Sequence, residues 1–229
     1  MANDGATIIA ALIGAVIGSL GAKLVEELLR RRAEKLSLEH TLINQYLLQL
    51  EDAIESLWYR LQILHKIGFE SQVAADPNFE GSLLYSLACV LAHRRILLLE
   101  GGYSKMEQVK PGLGSDLNKS LIGIDSISET RETMPQFFRY DRITLAETVI
   151  RRNGDRLGTY TYIEFKKQYE DINSGIEKSL KPAKKFLFEL QKSDIEYFMD
   201  ELKPIAIKVG HETHITSSLE KEEKRSTAE

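Results

Sequence analysis

Cysteine is nearly missing from this chain: Cys89 stands alone. One thiol excludes an intrachain disulfide framework and a cysteine-based zinc site, and it suits a reducing compartment. Excess positive charge is missing too. With a formal net charge of −4 and a pI near 5.8, the chain lacks the uncompensated lysines and arginines that neutralise a phosphate backbone, so nucleic acid is not expected as a partner.

Strong catalytic or cofactor signatures are also lacking. Gly112-Leu113-Gly114-Ser115 has no lysine to complete a phosphate loop, and His211-Glu212-Thr213-His214 is one residue short of the H-E-x-x-H zinc spacing. Glu51-Asp52 and Asp200-Glu201 read as solvated pairs on polar faces rather than acid–base dyads. Cys89 and His93 lie one helical turn apart, but the apolar neighbours Leu87, Ala88, Val90 and Leu91 imply an inert thiol beside a core histidine. No catalytic residue, metal or cofactor is expected.

Charge itself is absent from residues 5–22, which are 18 positions long. At about 1.5 Å per residue this run makes a helix of roughly 27 Å, close to the ~30 Å of a bilayer's hydrocarbon core. Met1-Ala2-Asn3-Asp4 supplies an acid and no base, unlike the positive start of a secretory signal. Lys23, Arg30, Arg31, Arg32 and Lys35 follow the run and no base precedes it, so the positive-inside rule predicts a single-pass plasma (inner) membrane protein with its N-terminus outside and its bulk cytoplasmic. Arg30, Arg31 and Arg32 would then face anionic headgroups, diluted by Glu26, Glu27 and Glu34. Along the span, Ala6, Ala10, Gly14, Gly18 and Ala22 form a small-xxx-small row that suits homo-oligomeric pairing. The span carries no polar stripe to line water, which disfavours a pore.

Proline and glycine are absent from residues 33–67. Ile43, Leu47, Leu50, Ile54, Leu57, Leu61 and Leu64 alternate spacings of four and three there, and Leu42, Tyr46 and Ile63 widen the stripe beyond a two-stranded seam. This predicts a long first bundle helix. Gly68 should end it, with a loop to Gly81, and residues 82–99 should form a central helix whose His93, Arg94 and Arg95 argue against a second span. Pro111 to Gly114 reads as a turn, Ser115 as the cap of a helix running toward Arg131, and Pro135 as its stop. Residues 137–143 and 159–163 have mixed strand and helix character, residues 145–152 look helical, and Asn153-Gly154-Asp155 is a turn. Helices are expected over 164–171, over 175–192 with Pro182 kinking or starting it, and over 194–202 ending before Pro204. The expected fold is therefore mainly α: a transmembrane and basic juxtamembrane segment (1–32), a cytoplasmic helical bundle (33–210) with room for one or two short strands, and a polar tail (211–229).

A leucine-rich helix with an internal arginine pair over 83–100, a Phe138-Arg139 entry into the helix ending near Ile150, the Tyr162-x-x-Phe165 spacing, and the run Ile195-Glu196-Tyr197-Phe198-Met199-Asp200-Glu201-Leu202-Lys203-Pro204 resemble a family of bacterial single-span membrane proteins. The resemblance covers roughly residues 83–204. It implies an N-terminal anchor plus a cytoplasmic helical domain and carries no activity.

The least ordinary feature is the arginine set. Arg94 and Arg95 interrupt an apolar helix, and Arg139 and Arg142 flank Asp141. A half-buried guanidinium is costly unless paired, so Glu100 or Asp141 is the expected partner. From these features a membrane-tethered interaction or scaffold module is expected, with the bilayer, a second copy and a protein as candidate partners. The alternative is a ligand-sensing or enzymatic domain that uses Arg94, Arg95, Arg139 and Arg142 as an anion site.

Overall fold

The computed structural model describes residues 4–213, with the side chains of residues 4–25, Leu28, Lys35, Leu36 and Ile172 left outside the description. The chain is mainly helical. Ten α-helices occur among the described residues: α1 (Asp4–Ile67), α2 (Phe69–Ala75), α3 (Phe79–Leu99), α4 (Gly102–Val109), α5 (Leu113–Asp125), α6 (Ile127–Thr130), α7 (Arg139–Glu147), α8 (Tyr162–Glu170), α9 (Ile176–Glu189) and α10 (Lys192–Thr213). Between α7 and α8 lies an antiparallel hairpin, β1 (Ile150–Asn153) and β2 (Arg156–Thr159), that turns at positive-φ Gly154.

The chain divides into two compact units, Met1–Leu42 and Ile43–Glu229. In the first, helical backbone runs from Asp4, and Glu27 pairs with Arg30 at 2.7 Å and with Arg31 at 2.9 Å on the exposed surface. Two members of the arginine triplet are thus locally compensated, while Arg32 is exposed. The small-residue row Ala10, Gly14, Gly18 and Ala22 falls outside the described side chains.

In the second unit the heptad-spaced residues Ile43, Leu47, Leu50, Ile54, Leu57, Leu61 and Leu64 are all buried. They meet α3, which is apolar around most of its surface and buries Leu83, Leu84, Leu87, Ala88, Val90, Leu91 and Ile96. Among the described residues α3 is the helix long and apolar enough to cross a membrane, and most of it is enclosed in this core. A helix that is hydrophobic all round belongs in the centre of a bundle, and α4, α7, α8 and α9 pack around it.

Several boundaries differ from those read in the sequence. The expected loop before Gly81 contains α2, because Phe69 and Val73, four apart, pack on the core and Gly68 at φ 86° lets the chain turn directly into a new helix. Gly101 ends α3 in the left-handed conformation and α4 starts at once. Helix α5 begins at Leu113 rather than after Ser115, since the Glu107 carboxylate accepts from the Gly112 and Ser115 amides at 2.7 and 3.2 Å and so caps it from outside. At Gly114 a Cβ would stand 2.0 Å from the Tyr103 carbonyl oxygen, so only glycine lets α4 and α5 approach this closely.

Of the mixed segments, 137–143 enters helix α7, and 159–163 spans the end of β2 and the start of α8, where Thr161 and Glu164 form a capping box; residues 150–152, expected to be helical, are instead strand, paired with β2. Helix α9 runs through Pro182, and α10 runs through Pro204 to Thr213 because Ile205, Ala206 and Val209 beyond the proline are buried in the core. Packing outweighs the lost hydrogen bond there. His211, Glu212 and Thr213 therefore belong to a helix and not to a tail; His214 and all that follows lie outside the described residues.

Candidate functional site

Helical periodicity puts Leu91, Arg94, Arg95 and Leu98 on one face of α3, and Arg139, Arg142, Ile143 and Ala146 on one face of α7. Both sets follow the spacing i, i+3, i+4, i+7. The two helices pack against each other, and these eight side chains line a single cleft of about 70 Å³ together with Asp125 at the end of α5. All four arginines singled out in the sequence are thus brought together. The volume falls far below the ~300–1,000 Å³ of sites that enclose drug-sized ligands.

Asp125 organises the interior of the cleft. Its Oδ2 accepts from Arg94 Nη1 at 2.7 Å, and its Oδ1 lies 3.5 Å from Arg142 Nε. Arg142 is 3% exposed. Its Nη2 pairs with Glu129 at 2.6 Å and its Nη1 donates to the Phe137 carbonyl oxygen, so the guanidinium is held from three sides. The negative end of the α5 dipole adds to the attraction for both arginines. Arg95 pairs at 2.6 Å with Glu147, whose side chain is 54% exposed. Arg139 is exposed and has no hydrogen bond or ion pair among the described residues. It is also the first residue of α7, whose N-cap Phe138 offers no side-chain cap.

The acids expected to meet the arginines, Glu100 and Asp141, are not their partners. Glu100 accepts from the Tyr46 hydroxyl at 2.6 Å and the Leu157 amide at 2.5 Å, which ties the hairpin to the core, and Asp141 is exposed. Sequence reasoning missed Asp125, Glu129 and Glu147. A signal for the first was present: Leu117, Leu121 and Asp125 fall four apart on the buried face of α5, and an acid in line with such a row needs a buried cation.

Two buried donors near Asp125 lack a partner, Arg94 Nε and the Tyr103 hydroxyl, while Arg142 Nε makes only its 3.5 Å ion-pair contact with Asp125. Tyr103 lies within electrostatic reach of both Arg94 and Asp125, and burial raises its pKa. Unsatisfied buried donors cost about 1–3 kcal/mol each.

The remaining candidates are structural. Burial pushes the Cys89 thiol up to about 12, far from a reactive thiolate, and lowers the buried His93 to about 4. Glu51, expected in solvent, is buried instead and accepts from the Thr213 hydroxyl at 3.0 Å, and desolvation raises its pKa. Among the described residues no His, Cys, Asp and Glu group has metal-binding geometry. Two larger hollows, of about 350 and 340 Å³, open beside Phe69 and Phe188 and along the segment from Ser128 to Phe138. The first mixes one acid, Glu70, with one base, Lys192; the second holds Arg131, already engaged with Asp194 at 3.3 Å.

No family model matches this chain, and no curated protein or solved structure matches it significantly.

Proposed function

We propose that the protein is a single-pass membrane-tethered binding module, with its N-terminus outside, whose cytoplasmic helical unit recognises an anionic partner at the cleft between α3, α5 and α7. The observation that carries this reading is the convergence of four arginines on one cleft that a single carboxylate, Asp125, also lines, with the exposed Arg139 left unpartnered among the described residues. The tether rests on the uncharged run 5–22 and the basic residues that follow it. The small-residue row gives that run a face on which two copies can pair. Binding is favoured over turnover because Asp125, Glu129 and Glu147 each already engage an arginine, and none is a free base.

The full chain in phosphatidylcholine nanodiscs should bind a fluorescent polyglutamate peptide, and more weakly as salt is raised. Arg95→Gln and Arg139→Gln should each weaken that binding several-fold, whereas Arg152→Gln, on the exposed hairpin, should leave it unchanged. Equal binding by all four proteins would contradict the assignment of the cleft.

A further inference from the structure

We propose that the anion recognised at this cleft is a phosphate group, either free or carried as a monoester; this rests on the reading of the cleft as the recognition site and names its ligand class. A carboxylate has two oxygens in one plane and is satisfied by one guanidinium fork or by two edges, as Asp125 is by Arg94 and Arg142. The cleft offers more than that. Each guanidinium carries five donors. Arg139 brings all of its own, and Arg94 Nε is buried without a hydrogen-bond partner. These donors come from two helices and so approach from different directions, which suits a tetrahedral group with three or four acceptor oxygens better than a planar one.

Preorganisation points the same way. Arg142 is nearly fully buried and fixed by Glu129, Phe137 and Asp125, so it loses little freedom when a ligand arrives. Arg95 is held only by an exposed ion pair, of a kind that contributes about 0–1 kcal/mol, and is released from it at little cost. The two arginines of the rim, Arg95 and Arg139, thus close on a ligand beside Arg94 and the fixed charge of Arg142. A volume of about 70 Å³ holds one such group and excludes a bulky one. The uncapped first turn of α7, beginning at Arg139, adds the positive end of a helix dipole.

The test follows the arginine Nε–Hε NMR signals of the ¹⁵N-labelled full chain in phosphatidylcholine nanodiscs, titrated separately with inorganic phosphate and with succinate. Phosphate should shift the Arg94, Arg139 and Arg142 signals and bind more tightly than succinate. Arg139→Gln, at an exposed position that does not threaten folding, should weaken phosphate binding by about tenfold, the loss of one charge-assisted contact. Arg152→Gln should leave it unchanged. Discs containing one-third phosphatidic acid separate the sources: a shift of the same signals without added phosphate identifies a lipid headgroup, and a shift with dissolved phosphate alone identifies a soluble phosphate. Both outcomes support the phosphate class. Succinate binding as tightly as phosphate, with the same dependence on Arg139, would overturn that class and leave the recognition site standing. No shift with either anion or with either disc would overturn both.

Discussion

Replacing Asp125 with alanine should destabilise the helical unit by about 3 kcal/mol, at the lower end of the cost of stripping one partner from a buried ion pair. Both of its arginines are left behind: Arg142 is 3% exposed, and the Arg94 side chain is 23% exposed. Glu129 and the Phe137 carbonyl oxygen still hold Arg142, which keeps the expected cost from being larger. In urea unfolding of the detergent-solubilised full chain, followed through the single tryptophan Trp58, the midpoint should fall by roughly 1–2 M with an unchanged slope. Glu147→Ala should cost less than about 1 kcal/mol, because the Arg95–Glu147 pair is exposed. Similar small costs for both variants would mean that the interior of the cleft is solvated, and the preorganised pair would lose its role.

Acidification should weaken the fold before its carboxylates titrate, and His93 is the reason. Its burial lowers its pKa from about 6.5 to about 4, and desolvation is the sole cause. Between those values the unfolded chain holds a proton that the folded chain rejects, so stability is full above about pH 6.5 and is lost as the pH falls toward 4. The slope of about 1.4 kcal/mol per pH unit accumulates to roughly 3 kcal/mol. Glu80, Glu107, Asp116 and Glu164 have lowered pKa values and ordinary values of 4.5 or below, so their own losses begin only at the lower edge of this window and continue beneath it. Glu51 has a raised pKa and acts in the opposite sense near its lower edge. His93→Gln keeps Glu51 unchanged and should flatten the profile between pH 4.5 and 6.5. An equally steep profile in that variant would place the proton uptake elsewhere.

Much of the bundle was legible because its signals are local and periodic. The seam from Ile43 to Leu64 and the apolar helix α3 follow from spacing alone, and the arginines of the cleft follow from their position within an apolar helix or beside an acid. What was not legible depended on contacts distant in sequence. Helix α10 passes Pro204 because the residues beyond it are buried, and Glu51 leaves solvent because the end of α10 covers it with Thr213. The pairing of Arg94 with Asp125, rather than with nearby Glu100, likewise depends on how α5 meets α3. Short α2 and α4 carry too few residues for a clear period, and each is entered through a positive-φ glycine.

The cleft and the tether make separate physical demands on the chain. The cleft needs buried charge held by a rigid helical core; the tether needs an uncharged run with bases on one side only. In the proposed function their combination would place an anion site at a membrane surface, and the orientation of the chain would decide which side of the membrane that site serves. Thiol labelling in intact cells tests this most directly, because Cys89 is buried, with its thiol pushed up to about 12, and stays silent. A cysteine at Asn3 should react with an impermeant maleimide from outside, and one at Asp155, in the exposed hairpin turn, only after the cells are opened. Labelling of Asp155→Cys in intact cells, or of Asn3→Cys only after opening them, would contradict the account.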